Sequence, residues 1–236
     1  VREILKKVTP SERTVIVLPE ADHIVPLLSE ISSSIKDYNI SMGYPLKRSS
    51  LYTLFEFVFD AQLSWKEGRY YTKDYLKALR HPFIKNLKLS SSATVVRVLV
   101  HKIEEILTGK EKAALSGSLF IDLDEVIRLE DVYMLTSEML DRLGIDVPRE
   151  ELRSTLAQIH NLLFVRWEKI NHFQDFSAAL EHILDVLTDK SSMGQYPLNL
   201  NIAARIYSIK EEFQKASFAQ EVFDKEEMFR IFEQKI

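Results

Sequence analysis

Cysteine is absent from the 236 residues, which excludes disulfides, thiolate zinc sites and thiol nucleophiles and fits a reducing compartment. Glycine (6) and proline (7) are scarce, well below the roughly 12% that the two usually reach together. A chain so poor in turn residues is a weak candidate for a many-stranded sandwich, barrel or propeller, and a mainly helical fold is expected. The longest apolar runs fall far short of the ~20 residues that cross a bilayer. The opening residues carry no signal-peptide pattern, so no membrane role and a cytoplasmic location are the expectations. A net charge of −4 excludes a strongly basic nucleic-acid protein, although it leaves local patches open. What is present is apolar bulk. Hydrophobic residues make up 46%, with 13 Phe and 9 Tyr, enough to build a core and too much for a disordered chain.

Motifs of stand-alone catalysis are missing too. The six glycines form no GxGxxG, and Gly109-Lys110 lacks both the upstream glycine and the following Ser or Thr of a phosphate loop. The histidines at 23, 81, 101, 160, 172 and 182 include no i, i+4 pair and no HExxH. No GxSxG elbow occurs. Asp122-Leu123-Asp124-Glu125 resembles a cluster of hard-cation ligands, but it lacks the calcium-loop glycine and stands where a helix begins. Acidic residues there complement the first-turn amides, so helix capping is the preferred reading. No catalytic residue, metal ligand or cofactor-binding residue is assigned.

Two regions differ in character. In the first, Thr14-Val15-Ile16-Val17-Leu18 reads as a buried strand ended by Pro19. Asp22 caps a short helix carrying Ile24, Leu27, Leu28 and Ile31, and Asn39-Ile40-Ser41-Met42 reads as a second strand. Strand, helix and strand in this length make a partial parallel α/β piece whose sheet needs further strands to cover it. From Ser49 on, helical periodicity dominates: Leu51 to Leu63, Thr72 to Arg80 stopping before Pro82, a run after Ser90–Ser92, and a single helix from Asp124 to Leu143. Helices from Pro148, through Phe173 to Leu187, around Ile202 to Phe213, and at Met228 to Phe232 follow. The expected fold is mainly α, a helical bundle following that strand-helix-strand piece, with domains 1–48 and 49–236. The chain opens on Val1 rather than Met and closes inside an amphipathic pattern, so a fragment of a longer protein is expected.

One charge anomaly stands out. Between Lys66 and Lys88 seven cations face two carboxylates, a local net of +5 that leaves −9 for the remainder. Lys73, Lys77 and Arg80 fall at i, i+4 and i+7, on one face of a helix. A row of cations at helical-turn spacing can follow phosphates, and Tyr70 and Tyr71 nearby could support a base or sugar. The other reading is a solvated outer face of an amphipathic helix.

The segments Thr14-Val15-Ile16-Val17-Leu18-Pro19-Glu20, Asn39-Ile40-Ser41-Met42-Gly43-Tyr44-Pro45-Leu46 and Leu51-Tyr52-Thr53-Leu54-Phe55-Glu56, followed by Tyr71-Thr72-Lys73-Asp74-Tyr75-Leu76-Lys77-Ala78-Leu79-Arg80-His81-Pro82-Phe83-Ile84, have a familiar order. Over roughly residues 13–87 the chain resembles the start of the second motor domain of superfamily 1 DNA helicases and the helical subdomain inserted into it. The particular likeness is to AddB/RecB-type helicase–nucleases, the bacterial PD-(D/E)XK nuclease family proteins. The resemblance implies a parent enzyme that processes DNA ends for recombination repair, with ATP and magnesium as its cofactors. Active motors of this kind carry an arginine after the first strand, whereas Pro19, Glu20, Ala21, Asp22 and His23 follow it here. That departure speaks against an ATPase role for this domain and suits the degenerate motors of AddB-like proteins. The phosphate loop and the nuclease carboxylates would lie outside Val1 to Ile236.

The expected role is therefore non-catalytic, DNA-positioning and structural, with Lys47, Arg48, Lys73, Lys77 and Arg80 as the DNA-contact candidates. Duplex or forked DNA, the rest of the motor and nuclease, and a second helicase–nuclease subunit are the implied partners. The alternative is a helical protein–protein interaction module without DNA binding, favoured if Phe229 and Phe232 form an exposed apolar patch.

Overall fold

The computed structural model describes residues 15–31 and 45–236, and the chain divides into two compact units, Val1–Arg48 and Ser49–Ile236. In the first unit a 3-10 turn, Ala21–His23, leads into α1 (Ile24–Ile31), which buries Ile24, Leu28 and Ile31 at the expected helical spacing. A second 3-10 turn spans Leu46–Arg48, and Arg48 is ion-paired with Asp22. Val15–Leu18 carry no strand, and Val15 and Val17 are 79% and 83% exposed. The strand expected there is thus corrected for these four residues. β-branched side chains favour a strand only where a neighbouring strand covers them, and none does among the described residues. Thr14 and the second expected strand, Asn39 to Met42, lie outside the described residues.

The second unit is a helical bundle. Ser49 opens α2 (Ser50–Ser64) as an N-cap, its hydroxyl accepting the Tyr52 amide at 3.1 Å. α2 buries Leu51, Tyr52, Leu54, Phe55, Val58, Phe59, Ala61 and Gln62, residues on several sides of the helix, so it is the central element. A tight turn, Lys66 to Arg69, brings the chain to β1 (Tyr70–Tyr71), then α3 (Thr72–Leu79), α4 (Pro82–Lys85) and α5 (Ala93–Leu107). β2 (Phe120–Ile121) pairs antiparallel with β1, Tyr70 opposite Ile121 and Tyr71 opposite Phe120. His81 caps α4, its Nδ1 accepting the Phe83 amide at 3.2 Å.

The single helix expected from Asp124 to Leu143 is instead two, α6 (Leu123–Arg128) and α7 (Glu130–Arg142), broken at Leu129 with φ −74° and ψ 97°. The buried Leu129 side chain fixes that extended residue in the core, and the Tyr133 hydroxyl donates to the Ile127 carbonyl at 2.6 Å beside the break. α8 (Arg149–His160) runs on through a π-helical stretch, Asn161–Val165, and a last helical turn, Arg166–Glu168. Trp167 Nε1 and Gln62 Nε2 donate to the Leu162 and Phe164 carbonyls there, at 3.0 and 3.2 Å. α9 (Phe173–Lys190) lies along α10 (Pro197–Lys215), and α11 (Lys225–Lys235) closes back onto α2. Phe55, Phe59, Trp167, Phe176, Phe229 and Phe232 form one aromatic core of stacked and edge-on rings.

Candidate nucleic-acid interface

α3 carries the predicted row of cations, and the row is only partly free. Lys77 Nζ lies 2.9 Å from Asp74 and 3.2 Å from Asp60 of α2. The hydrogen bond to Asp74, with Asp60 adding to it, holds the Lys77 pKa above the ordinary lysine value. Arg80, the residue that ends α3, reaches Glu104 of α5 at 3.3 Å. Lys73 is exposed and makes no ion pair among the described residues. Surface pairs of this kind contribute roughly 0–1 kcal/mol each, so Lys77 and Arg80 are held in place more than they are neutralised. In the first unit Lys47 is exposed and Arg48 is committed to Asp22. Of the five candidates, Lys73 and Lys47 are the two that make no ion pair among the described residues.

The two tyrosines separate sharply. Strand alternation sends Tyr70 and Tyr71 to opposite faces of the ladder. Tyr70 is fully buried, its hydroxyl donating to Glu168 at 2.7 Å, and burial with that carboxylate pushes its pKa well up. Tyr71 is half-buried and packs on Phe120, ring centroids 5.7 Å apart and planes at 50°. Phe120 is 44% and Leu119 62% exposed. Two residues beyond Tyr71 comes Lys73, and just before β1 come Lys66, exposed, and Arg69, 3.9 Å from Glu125. Tyr71 and Phe120 therefore form an apolar shelf bordered in sequence by cations. Phe120 was invisible as a partner in the sequence, because a two-residue ladder leaves no alternation to read. Only the register that sets it opposite Tyr71 reveals it.

Asp122 is the cap expected of the acidic cluster: its Oδ1 accepts the Asp124 and Glu125 amides at 2.7 and 3.2 Å. Among the described residues no group of three or more His, Asp or Glu could hold a metal ion. No helix among them is long and apolar enough to cross a membrane. His81 and His160 are internal: burial lowers their pKa values to about 4 and about 3. Phe229 and Phe232 are 3% and 0% exposed, so they form no surface patch. No family model, no curated protein and no solved structure matches this chain.

Proposed function

We propose that the chain is a non-catalytic, DNA-positioning helical part of an ATP-dependent helicase–nuclease that processes DNA ends. The observation that carries this reading is the Tyr71–Phe120 shelf with Lys73, which makes no ion pair among the described residues, two residues away. A half-exposed aromatic pair offers a stacking surface to an unpaired base, and a nearby ammonium takes the adjoining phosphate. Lys77 and Arg80 hold the following turns of α3 against α2 and α5, which keeps Lys73 in a fixed place. Lys47, exposed in the first unit, is a separate candidate for a phosphate contact. Such contacts orient a strand without reading its sequence. Among the described residues no three His, Asp or Glu side chains converge, and no glycine-rich turn precedes a helix. ATP and magnesium chemistry belongs, on this reading, to the rest of the parent enzyme.

The test is fluorescence anisotropy with a labelled forked duplex at about 50 mM and about 200 mM salt. Measurable binding at the lower salt, weaker at the higher, is expected. Lys73→Glu should weaken it severalfold, and Tyr71→Ala should weaken the forked substrate more than a blunt duplex. No binding at low salt, or binding indifferent to Lys73→Glu, defeats the proposal.

A further inference from the structure

Between α8, its π-helical continuation and α9 lies a pocket of about 420 Å³, within the ~300–1,000 Å³ usual for a small-molecule site. Ser154, Ala157, Gln158 and Asn161 line one wall at i, i+3, i+4 and i+7, one face of a helix. Regular α-helical spacing would bring Val165 to that face next, at i+11 from Ser154. The π-helical stretch inserts one residue instead, and the Arg166 amide donates to the Asn161 carbonyl. Arg166 lines the pocket and Val165 does not. The shift of register thus puts a guanidinium where an unbroken helix would put an isopropyl group.

The opposite wall is α9, with His182 and Val186 one turn apart, and Leu89 and Leu162 add apolar surface. Arg166 is exposed and makes no ion pair among the described residues. His182 is half-buried. Burial and then the Arg166 charge lower its pKa, against the opposing charge of Asp185. The ring is therefore neutral at pH 7. Asp185 stands outside the lining and accepts the Tyr207 hydroxyl of α10. Among the described residues Arg166 is the single charge of the lining, which holds no carboxylate. Neutral donors flank it. Gln158 Nε2 donates to the Ser154 hydroxyl at 3.3 Å, which leaves the Ser154 proton to point outward. The Asn161 side-chain amide and the His182 ring have no hydrogen-bond partner among the described residues.

One fixed cation among neutral donors matches one negative charge. A planar guanidinium receives a carboxylate through two parallel hydrogen bonds. A phosphate dianion would leave its second charge unanswered, and a cationic ligand would meet Arg166. Leu89, Leu162 and Val186 suit an apolar body behind the carboxylate. We propose that the α8–α9 pocket binds a small organic monocarboxylate, its charge on Arg166 and Asn161 and its apolar body against Leu89, Leu162 and Val186. This goes beyond the DNA-positioning reading and is independent of it.

The full chain is titrated with octanoate and 2-naphthoate, with their neutral amides and with inorganic phosphate, by calorimetry and by NMR of the histidine rings. The His182 resonance is the one missing from His182→Gln. At least one acid binds with a Kd of about 1 mM or tighter and moves that resonance. Its amide and phosphate bind about tenfold more weakly or less. Arg166→Gln weakens the acid about tenfold or more, and Arg166→Lys, which keeps the charge and loses the fork, about threefold or more. Ala157→Phe, at an exposed position, fills the pocket and weakens the acid about tenfold. Arg149→Gln, an equal charge loss at the other end of α8, changes it less than about twofold. Circular dichroism establishes that each variant is folded, and Arg166→Gln decides the matter should Ala157→Phe fail to fold. Neither acid bound at about 10 mM, or binding that survives Arg166→Gln or a folded Ala157→Phe, overturns the proposal. An amide that binds as well as its acid means apolar capture alone, and equal losses from Arg149→Gln and Arg166→Gln mean diffuse surface charge; each overturns it too. Phosphate bound more tightly than either acid assigns the pocket to phosphate and likewise overturns it.

Discussion

The Phe59 and Phe229 rings stack with centroids 4.0 Å apart and planes 11° from parallel, joining the central helix α2 to the last helix α11. Each ring also meets Phe176 of α9, and Phe59 meets Trp167 edge-on. Removing one ring takes away its transfer free energy and leaves a cavity bounded by side chains that other rings hold fixed. Phe229→Ala should therefore cost about 3–5 kcal/mol, and Phe229→Leu, which keeps most of the volume, less than about 1.5 kcal/mol. Urea unfolding followed by tryptophan fluorescence measures both. A cost for Phe229→Ala below about 1 kcal/mol would mean that α11 does not belong to the cooperative core.

A polar chain runs behind those rings. Gln62 Nε2 donates to the Tyr70 hydroxyl at 3.1 Å, Tyr70 donates to Glu168 at 2.7 Å, and Lys225 Nζ donates to Gln62 Oε1 at 3.2 Å. Burial lowers the Lys225 pKa, and the Glu168 charge opposes that shift. Deleting one member leaves the others desolvated and unsatisfied, the costly case for a buried polar group. Tyr70→Phe removes only an oxygen, yet it should destabilise by about 1–3 kcal/mol. Pairing it with Glu168→Gln in a double-mutant cycle should return a sum smaller than the two single losses. Strict additivity would show that the network is not coupled.

The helical body was legible because its signals are local. Asp122 ahead of two first-turn acids and Pro82 after α3 each act over a few residues, and the structure places each where the pattern put it. The break at Leu129 was not legible, because its flanks are good helix formers. It is set by burial of Leu129 and by the hydroxyl of Tyr133, which are tertiary facts. The same holds for β1 and β2, two residues each, and for the π-helical stretch at Asn161–Val165. At the candidate interface the spacing of Lys73, Lys77 and Arg80 could be read, but not which carboxylates they meet. Asp60 and Glu104 arrive from α2 and α5, and no sequence distance encodes that.

Two internal histidines make the fold sensitive to acid. His81 caps α4 through Nδ1, so its Nε2–H faces the Ser50 hydroxyl at 3.3 Å. His160 meets the Tyr75 hydroxyl through Nε2 at 2.8 Å, and its buried Nδ1 has no partner. Burial keeps both rings neutral when folded, with pKa values of about 4 and about 3 against 6.5 in an open chain. As pH falls below 6.5 the unfolded chain binds protons that the folded chain refuses, so stability is full above 6.5 and declines toward pH 4. Between pH 6 and pH 4.5 the decline should be about 1–3 kcal/mol per pH unit. His81→Asn keeps a capping side chain and removes one titrating ring, so its acid slope should be close to half that of the parent. Urea midpoints across this range check it. An unchanged slope would place the uptake elsewhere.

The turn before β1 is strained at one position. Lys66 and Arg69 exchange backbone hydrogen bonds, each 2.9 Å long, around Glu67 at φ 51° and Gly68 at φ +81°. Two left-handed residues in a two-residue hairpin make a type I′ turn, for which Asn-Gly is the favoured pair. Glutamate has no local hydrogen bond to offset the crowding of its Cβ there, whereas asparagine tolerates that conformation. Glu67→Asn should raise stability by about 0.5–1 kcal/mol, and Gly68→Ala should lower it by about 1 kcal/mol or more. The first change also deletes an acid between Lys66 and Arg69, beside the Tyr71–Phe120 shelf. Glu67→Asn should therefore melt higher and, on the DNA-positioning reading, bind forked DNA about twofold or more tightly at low salt. A higher melting temperature with no change in affinity would keep the account of the turn and count against a phosphate path along this edge.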